Sequence, residues 1–243
     1  MDTLKRPDIS VVILCYRSGN FATTFHKRVT DVLTKNNLDY EIVLVGNYRL
    51  GSGDITPDVV REIARTDPRT VCVVKEKTDP TQAMGWDMRS GLEASSGKTI
   101  TVIDGDGQMP PEDIPKLFQK MKDGGYDLCK TVRISRGDGL YRKLISRTFN
   151  LAMRVLFPGI HGDINSKPKL FTREVYEKLH LESNDWFIDA EIMIKVRNFN
   201  IKIREIRTDF YKNPERKSFI SFKANVEFVR NMIQWRIKEF QRK

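Results

Sequence analysis

Two aspartates separated by one residue, Asp104 and Asp106, are the part of this sequence best suited to chemistry. They follow an apolar run and are spaced by glycines, which let a backbone approach a ligand closely. Carboxylates this close repel each other unless a cation or a proton intervenes. Mg²⁺ and Mn²⁺ take carboxylate oxygens and also bind phosphates, and the amide oxygen of Gln108 could complete the coordination. The pattern predicts a metal and diphosphate site; the alternative is a polar turn with two solvated aspartates.

Alternating strands and helices position this acidic pair. Apolar runs predict strands at Ile9–Cys15, Glu41–Val45, Thr70–Val74, Thr99–Ile103 and Tyr126–Val132. Helical spacing predicts helices at Phe21–Asn36, Pro57–Arg65, Gln82–Ala94 and from Pro110 to Lys122. Strands this rich in Val and Ile favour an α/β fold with a mostly parallel, Rossmann-like sheet that carries helices on both faces. Ligands of such sheets bind beyond the carboxyl ends of the strands, where the two aspartates would lie.

Length and composition exclude several classes of protein. A chain of 243 residues with 40% hydrophobic and 30% charged residues can bury a core, and it is neither collagenous nor wholly disordered. No apolar run reaches the roughly 18–20 residues of a membrane-spanning helix, and the first residues lack the apolar stretch of a secretory signal. We therefore expect a cytoplasmic protein. Its three cysteines are far apart and are predicted to be small core residues.

The positive charge is concentrated late in the chain. Lys and Arg total 42 against 32 Asp and Glu, and residues 201–243 contain twelve basic and five acidic side chains. Such a segment favours anionic partners, although no nucleic-acid-binding motif is present, so we expect no nucleic acid. Apolar residues at helical spacing predict a basic amphipathic helix over Phe222–Phe240. This helix either lies on a membrane surface or packs on the sheet or a second subunit.

Four sequence blocks together resemble a known family. They are Ser10–Tyr16, Glu41–Val45, Gly91–Gly97 and the segment Asp104–Pro115, which reads Asp-Gly-Asp-Gly-Gln-Met-Pro-Pro-Glu-Asp-Ile-Pro. The order resembles the family 2 inverting glycosyltransferases with the GT-A fold, and among them the dolichyl- and polyprenyl-phosphate sugar synthases. The resemblance implies a catalytic domain over residues 1–220, followed by the basic helix at 221–243.

The resemblance also implies roles for particular acidic residues. Asp104, Asp106 and Gln108 would hold Mg²⁺ or Mn²⁺, with Asp104 also contacting the sugar nucleotide. Asp163, in a segment similar to a family Asp-x-x-Ser/Cys-Gly block, would lie near the donor sugar and acceptor. Asp189 or Glu191 would supply a catalytic carboxylate. A turn, a helix cap or a helix start would explain the last three carboxylates without catalysis.

Basic and aromatic residues complete the predicted binding site. The nucleotide would contact Tyr16 by stacking and Asn47 by a hydrogen bond, although the usual acidic contact to the base is missing after the second strand. The guanidinium group of arginine binds phosphate oxygens through two parallel hydrogen bonds, so a set of basic residues could contact the acceptor phosphate. The set is Arg133, Arg136, Arg142, Lys143, Arg147, Arg216 and Lys217.

The implied reaction moves a sugar from a UDP- or GDP-sugar to a polyprenyl phosphate, with inversion. A phosphate monoester has a second pKa of about 6, so this acceptor needs positioning more than deprotonation. A hydroxyl of a saccharide is an alternative acceptor and would need a general base. Nucleotidyl transfer is a second alternative, which would release pyrophosphate instead of a nucleoside diphosphate. Peripheral contact with the cytoplasmic face of a membrane would give the basic helix a use.

Overall fold

The computed structural model describes residues 6–136, 140–160, 162–211 and 222–241, without the side chains of 135, 136, 140–143 and 222–226. Seven strands of the described residues form one sheet in the order β3-β2-β1-β4-β6-β5-β7. The strands are β1 Ile9–Leu14, β2 Tyr40–Val45, β3 Thr70–Val73, β4 Thr99–Asp104, β5 Leu128–Arg136, β6 Lys169–Thr172 and β7 Ile203–Phe210. All neighbouring strands are parallel except β6, which is antiparallel to both β4 and β5.

Eight helices in the described part of the chain accompany the sheet. They are α1 Phe21–Lys35, α2 Thr56–Thr66, α3 Met84–Ala94, α4 Asp113–Gly124, α5 Leu140–Leu156, α6 Arg173–Leu179, α7 Ile188–Asn198 and α8 Phe222–Gln241. Strand residues alternate between the two faces, as the two-residue period of a strand requires. On β1, Val11 and Ile13 join the core beneath α1, whereas Val12 and Leu14 join the core beneath α3.

The sheet register brings several strand ends to one edge. Leu14 of β1 is paired with Val45 of β2 and with Asp104 of β4, so these three strands end level with one another. Because β6 runs in the opposite direction, its first residue, Lys169, lies opposite Val102 near the end of β4. The segment before β6 therefore reaches the same edge as the acidic pair.

A third core cluster connects the late helices. Met153 of α5, Phe187 beside α7, and Met232 and Trp235 of α8 belong to it. The rings of Phe149 and Phe228 meet edge to face with centroids 5.1 Å apart. Helix α8 is thus packed on the rest of the protein through these residues.

The structure confirms the predicted α/β class and its mostly parallel sheet. All five predicted strands and all five predicted helices are present, with ends that differ by a few residues. Strands β6 and β7 and helices α5 and α6 were not predicted, and α7 was indicated only by the possible helix start at Asp189 and Glu191. Cys15 and Cys129 are buried as expected, while Cys72 is half-buried. The division into 1–220 and 221–243 stays a prediction, because residues 212–221 lie outside the described ranges. Within those ranges no helix is long and apolar enough to cross a bilayer.

Candidate active site

The acidic tip, residues 104–108, closes β4 at the carboxyl edge of the sheet. Asp106 accepts a hydrogen bond from the backbone N–H of Gln108 at 3.0 Å, and Gly107 takes the left-handed φ of +72° that the turn requires. The Ser18 hydroxyl donates to the carbonyl of Gly105 at 3.0 Å. Contacts with the loop after β1 therefore fix the start of the tip.

The far end of the acidic tip is attached to the end of β7. The backbone N–H of Tyr211 donates to the carbonyl of Gln108 at 2.9 Å, and the Gln108 side-chain nitrogen donates to the Tyr211 carbonyl at 3.2 Å. Any contact between Gln108 and a cation would consequently use its amide oxygen. The structure brings the three predicted metal ligands together on one turn.

A row of buried charges lies behind the acidic tip. We call the side chains of Asp104, Lys167, Asp189 and Lys169 the charge cluster. The Lys167 ammonium is 3.3 Å from Asp104 Oδ1 and 3.0 Å from Asp189 Oδ2. Lys169 Nζ is 2.5 Å from Asp189 Oδ1 and also donates to the carbonyl of Ile164 at 3.0 Å. Asp104 is the outermost member, with 30% of its side chain exposed.

The charge cluster shifts the pKa values of its members. Burial raises the pKa of Asp189. The neighbouring charges of Lys167 and then Lys169 lower this pKa by more than burial raises it, so that the net value is about 2. Burial lowers the pKa of Lys167, and the carboxylates of Asp104 and Asp189 more than offset it, leaving a pKa above the usual range. Burial lowers the pKa of Lys169 to about 8, although Asp189 acts against this. Asp189 is therefore a carboxylate at neutral pH and a very weak base.

The two predicted catalytic carboxylates of α7 have different environments. Asp189 joins the charge cluster, one lysine away from Asp104. Glu191 is fully buried and accepts hydrogen bonds from the backbone N–H groups of Glu182 and Ser183, both at 2.8 Å. It is also 2.6 Å from Lys195. The structure thus brings Asp189 to the acidic tip, whereas Glu191 anchors the loop before α7.

Asp163 and Arg133, both predicted site residues, form a bidentate pair. Arg133 Nε donates to Asp163 Oδ2 at 2.5 Å, and Nη2 donates to Oδ1 at 2.8 Å. The Lys130 ammonium donates to the carbonyl of Asp163 at 2.8 Å and pairs with Glu205 at 2.8 Å. The segment that begins at Asp163 is therefore held against β5 before it continues to Lys167.

Asn47, predicted to contact the base, is buried and already bridges two segments. Its side-chain nitrogen donates to Asp87 Oδ1 at 2.9 Å, and its oxygen accepts from the backbone N–H of Lys75 at 2.8 Å. Asp87 in turn is 2.5 Å from Lys77 Nζ. Burial is the largest cause both of the raised pKa of Asp87 and of the lowered pKa of Lys77. These contacts favour a structural role for Asn47.

Tyr16 lies next to this buried pair. The ammonium of Lys77 is 5.0 Å from the centre of the Tyr16 ring, and Tyr16 is half-buried at the end of β1. Arg49 fixes the loop that carries Lys77, since its guanidinium donates to the carbonyls of Lys77, Asp79 and Gln82 at 3.3, 3.1 and 3.2 Å. The predicted stacking of Tyr16 on a base stays a prediction.

Several important residues were not predicted from the sequence. Lys167, Lys169, Lys77 and Asp87 have no motif of their own, although two of these lysines flank Pro168 in a block that the family resemblance had singled out. Most of the other predicted basic residues lie wholly or partly outside the described part of the chain. Arg216 and Lys217 lie outside the described residues, as do the side chains of Arg136, Arg142 and Lys143, and Arg147 is exposed on α5.

The acidic tip fits a divalent cation that shares its ligands with a phosphate. Within the described residues no three or more His, Cys, Asp and Glu side chains are grouped as an all-protein metal site. Mg²⁺ is usually held by one or two carboxylates together with substrate phosphates and water. Asp104 and Asp106 supply hard oxygen ligands of this kind at the edge of the sheet.

The α/β fold and its acidic tip agree with a comparison of the sequence with known families: residues 10–180 match the family model named "Glycosyl transferase family 2". The chain belongs to glycosyltransferase family 2. This match confirms the family predicted from the sequence blocks.

Similar proteins with assigned names include two bacterial sugar transferases. The chain is 29% identical over 171 residues to the undecaprenyl-phosphate 4-deoxy-4-formamido-L-arabinose transferase of Serratia proteamaculans, covering 70% of this chain and 51% of the relative. It is 31% identical over 147 residues to the enzyme of that name from Pectobacterium atrosepticum, covering 60% of this chain and 43% of the relative. The matched region spans about half the length of these relatives. The predicted resemblance to polyprenyl-phosphate sugar transferases is thus confirmed.

Solved structures share the fold. Glucosyl-3-phosphoglycerate synthase from Mycobacterium tuberculosis, in complex with phosphoglyceric acid, superposes with a TM-score of 0.65 at 19% identity, over 96% of this chain and 79% of that chain. The same enzyme in complex with Mn²⁺, UDP-glucose and phosphoglyceric acid gives a TM-score of 0.63 at 20% identity, over 93% and 77% of the two chains.

Proposed function

We propose that this chain transfers a sugar, with inversion, from a nucleotide-diphosphate sugar to a polyprenyl phosphate. The observation that carries the proposal is the acidic tip, which sits at the ligand-binding edge of a family 2 domain. The named relatives act on undecaprenyl phosphate, and the solved neighbour binds UDP-glucose with Mn²⁺, which supports this choice of acceptor and donor.

Asp104 and Asp106 would hold Mg²⁺ or Mn²⁺, with the amide oxygen of Gln108 as a further ligand. When bound, such a cation stabilises the negative charge that develops on the leaving diphosphate. The residues of the chain orient the partners. The tip is fixed by Ser18 at one end and Tyr211 at the other, and Tyr16 offers its ring to the base.

The charge cluster favours a phosphate acceptor over a hydroxyl acceptor. A hydroxyl needs a general base whose pKa lies near the working pH, whereas Asp189, with a pKa of about 2, is held as a carboxylate by two lysines. A phosphate monoester is largely a dianion near neutral pH and can attack without such a base. Asp163 is already paired with Arg133, so its role would be to position that arginine. Arg136, Arg216 and Lys217 remain predicted contacts of the acceptor phosphate.

One assay tests the proposal and its rivals. The protein would be incubated with Mn²⁺ or Mg²⁺ and a panel of UDP- and GDP-sugars, with polyprenyl phosphate, with a saccharide, or with neither. Release of nucleoside diphosphate only with polyprenyl phosphate is expected. Release with the saccharide alone would support the hydroxyl acceptor, and pyrophosphate would indicate nucleotidyl transfer.

Asp106→Ala is the decisive variant in this assay. Loss of a metal-ligating carboxylate removes stabilisation of the leaving group, and we expect a fall in rate of about 100-fold or more. Asp58→Ala is the matched control, because Asp58 is an exposed aspartate on α2 with 83% of its side chain accessible. Full activity of a folded Asp106→Ala protein in the presence of metal would reject the assignment.

We also propose that α5 and α8 contact an anionic membrane surface. On α8 the outer stripe, defined as Val229, Ile233, Ile237 and Phe240, is exposed, with each side chain more than half accessible. On α5, Leu144, Leu151 and Val155 are exposed as well. Because α8 packs inward through Met232 and Trp235, the alternative in which the predicted stripe packs on the sheet does not hold for these four residues.

Exposed basic residues near the outer stripe favour an anionic lipid surface as its binding partner. Arg230 and Lys238 are exposed on α8, and Arg147 and Arg154 are exposed on α5. Each Lys or Arg near an anionic bilayer contributes about 1 kcal/mol of attraction, and exposed apolar side chains add to it by entering the headgroup region. The lipid acceptor would then be presented to the protein at the membrane, on the cytoplasmic side that we predict.

A further inference from the structure

The ammonium group of Lys167 is a buried positive charge that lies directly behind the acidic tip. Its side chain is 3% exposed, and its ammonium lies 3.3 Å from Asp104 Oδ1 and 3.4 Å from Asp104 Oδ2. On the other side it is 3.0 Å from Asp189 Oδ2. In the block that resembles the family pattern, Lys167 occupies the position of the glycine. The ammonium therefore contacts one of the two carboxylates expected to bind metal.

Anchoring of Asp189 does not by itself explain this lysine. Lys169 already contacts Asp189 Oδ1 at 2.5 Å and is equally buried. The feature that distinguishes Lys167 is its second carboxylate, Asp104. The two lysines thus offer a natural comparison, since they share Asp189 and differ in their contact with the tip.

A cation bound by Asp104 would share that carboxylate with the Lys167 ammonium. Like charges near one carboxylate repel each other, and the repulsion is stronger in a partly buried site than in water. Lys167 also cancels part of the negative charge that would attract a divalent ion to Asp104 and Asp106. The diphosphate of a donor would restore negative charge at the same place.

We propose that Lys167 is a positioning residue that holds Asp104 and makes metal binding depend on the donor nucleotide. Without nucleotide the acidic tip binds Mn²⁺ or Mg²⁺ weakly, and with a diphosphate present it binds the metal tightly. Binding linkage requires the reverse as well, so metal strengthens nucleotide binding by the same factor. This inference rests on the proposed metal site at Asp104 and Asp106.

The proposed role of Lys167 can be tested by measuring Mn²⁺ binding, with electron paramagnetic resonance of the free ion as the readout. This measurement does not require the protein to be catalytically active. The full chain would be titrated alone and with UDP or GDP, after subtraction of the Mn²⁺ that each nucleotide binds by itself. For the unaltered protein we expect the nucleotide to tighten Mn²⁺ binding ~10-fold or more. Lys167→Met should bind Mn²⁺ alone ~10-fold more tightly than the unaltered protein and show a smaller effect of nucleotide.

Lys169→Met is the matched control. It also removes one positive charge from the charge cluster, but Lys169 contacts Asp189 and not Asp104. Because the Coulomb energy falls with distance and Lys169 contacts Asp189 instead of Asp104, the change in the affinity of this variant for Mn²⁺ should be about threefold or less. An unchanged Mn²⁺ affinity in folded Lys167→Met, or an equal gain in Lys169→Met, would overturn the role of Lys167 while leaving the metal site in place. Absence of Mn²⁺ binding by the unaltered protein with every nucleotide would instead overturn the metal site, and the inference with it.

The unaltered protein keeps the inference testable even if Lys167→Met does not fold. Tight Mn²⁺ binding without nucleotide, unchanged when UDP or GDP is added, would contradict the inference. Lys167→Arg preserves the charge and should retain dependence on the nucleotide; loss of that dependence in a folded Lys167→Arg protein would also count against it.

Discussion

At the scale of single residues, the predicted site residues mostly occur in charged pairs. Asp163 is held by Arg133, Asp189 by two lysines, and Asp104 by Lys167. Removing one partner of such a buried pair is destabilising, because the remaining charge is no longer compensated. The acidic residues around the tip therefore contribute to folding as well as to any chemistry, and their variants need a measurement of stability beside one of activity.

Asp163→Asn should destabilise the protein by about 3 kcal/mol, because it removes the carboxylate that pairs in two places with the largely buried Arg133 guanidinium. Urea unfolding followed by circular dichroism measures the change. Replacing both residues, as Asp163→Asn with Arg133→Met, should recover part of the loss, since the buried charge of Arg133 is then removed together with the carboxylate that balanced it. A stable Asp163→Asn protein that is inactive would instead point to direct catalysis by this carboxylate.

The sequence predicted the acidic tip but not its partners, and the reason is geometric. Asp104 and Asp106 are neighbours in the chain, so their pairing is visible in the printed sequence. Lys167 is distant in sequence and reaches Asp104 only because β6 is antiparallel to β4. Asn47 was predicted as a base contact from its position after β2, and nothing in the sequence indicated that Asp87 would lie beneath it.

At the scale of elements, α8 has two apolar faces with different environments. Met232 and Trp235 are buried in the third core cluster, whereas Ile233 and Ile237 are about half exposed. Periodicity alone predicted that Ile233 and Ile237 face either the protein or a lipid surface. The structure shows that Met232 and Trp235 are the residues that pack in the core. The strands were easier to predict, because β1, β2 and β4 are buried on both faces over most of their length and are rich in Val and Ile.

Ile233→Ser combined with Ile237→Ser should weaken binding to vesicles of anionic lipid while leaving stability nearly unchanged. The reason is that these side chains stay about half exposed in the folded protein and would lose that remaining exposure only at the bilayer. Co-sedimentation with phosphatidylglycerol vesicles measures binding, and thermal unfolding measures stability.

Met232→Ala is the control for the helix itself, because it should lower the unfolding free energy by about 2–5 kcal/mol. Unchanged vesicle binding by the double serine variant would contradict the membrane proposal. A shift of that variant from dimer to monomer would support a second subunit as the occupant of the stripe.

At the scale of the whole molecule, the edge of the sheet opposite the site carries a buried histidine that makes stability depend on pH. His26 of α1 is 2.8 Å from the Thr70 hydroxyl at the start of β3 and 3.4 Å from Asp67. Burial lowers the pKa of His26, while Asp67 partly offsets this and Arg69 adds to it. The folded protein therefore binds this proton less readily than the unfolded chain does.

Stability should fall as the pH drops below about 6.5, the ordinary pKa of histidine, and should be at its full value above it. One proton contributes at most about 1.4 kcal/mol per pH unit to this slope. Urea unfolding at several pH values should show a smaller slope for His26→Gln than for the unaltered protein. His180→Asn, at an exposed position, should keep the full slope; an equal reduction in both variants would show that His26 is not the cause.

The reversed strand β6 also bears on how substrate preference can change within such a protein. One short segment, residues 163–169, supplies both the partner of Arg133 and the lysine behind Asp104. Mutations there would alter the proposed acceptor contacts and the proposed cation site together. Tyr16, the proposed contact of the nucleobase, follows β1 and belongs to another element, so the proposed nucleobase contact can diverge independently.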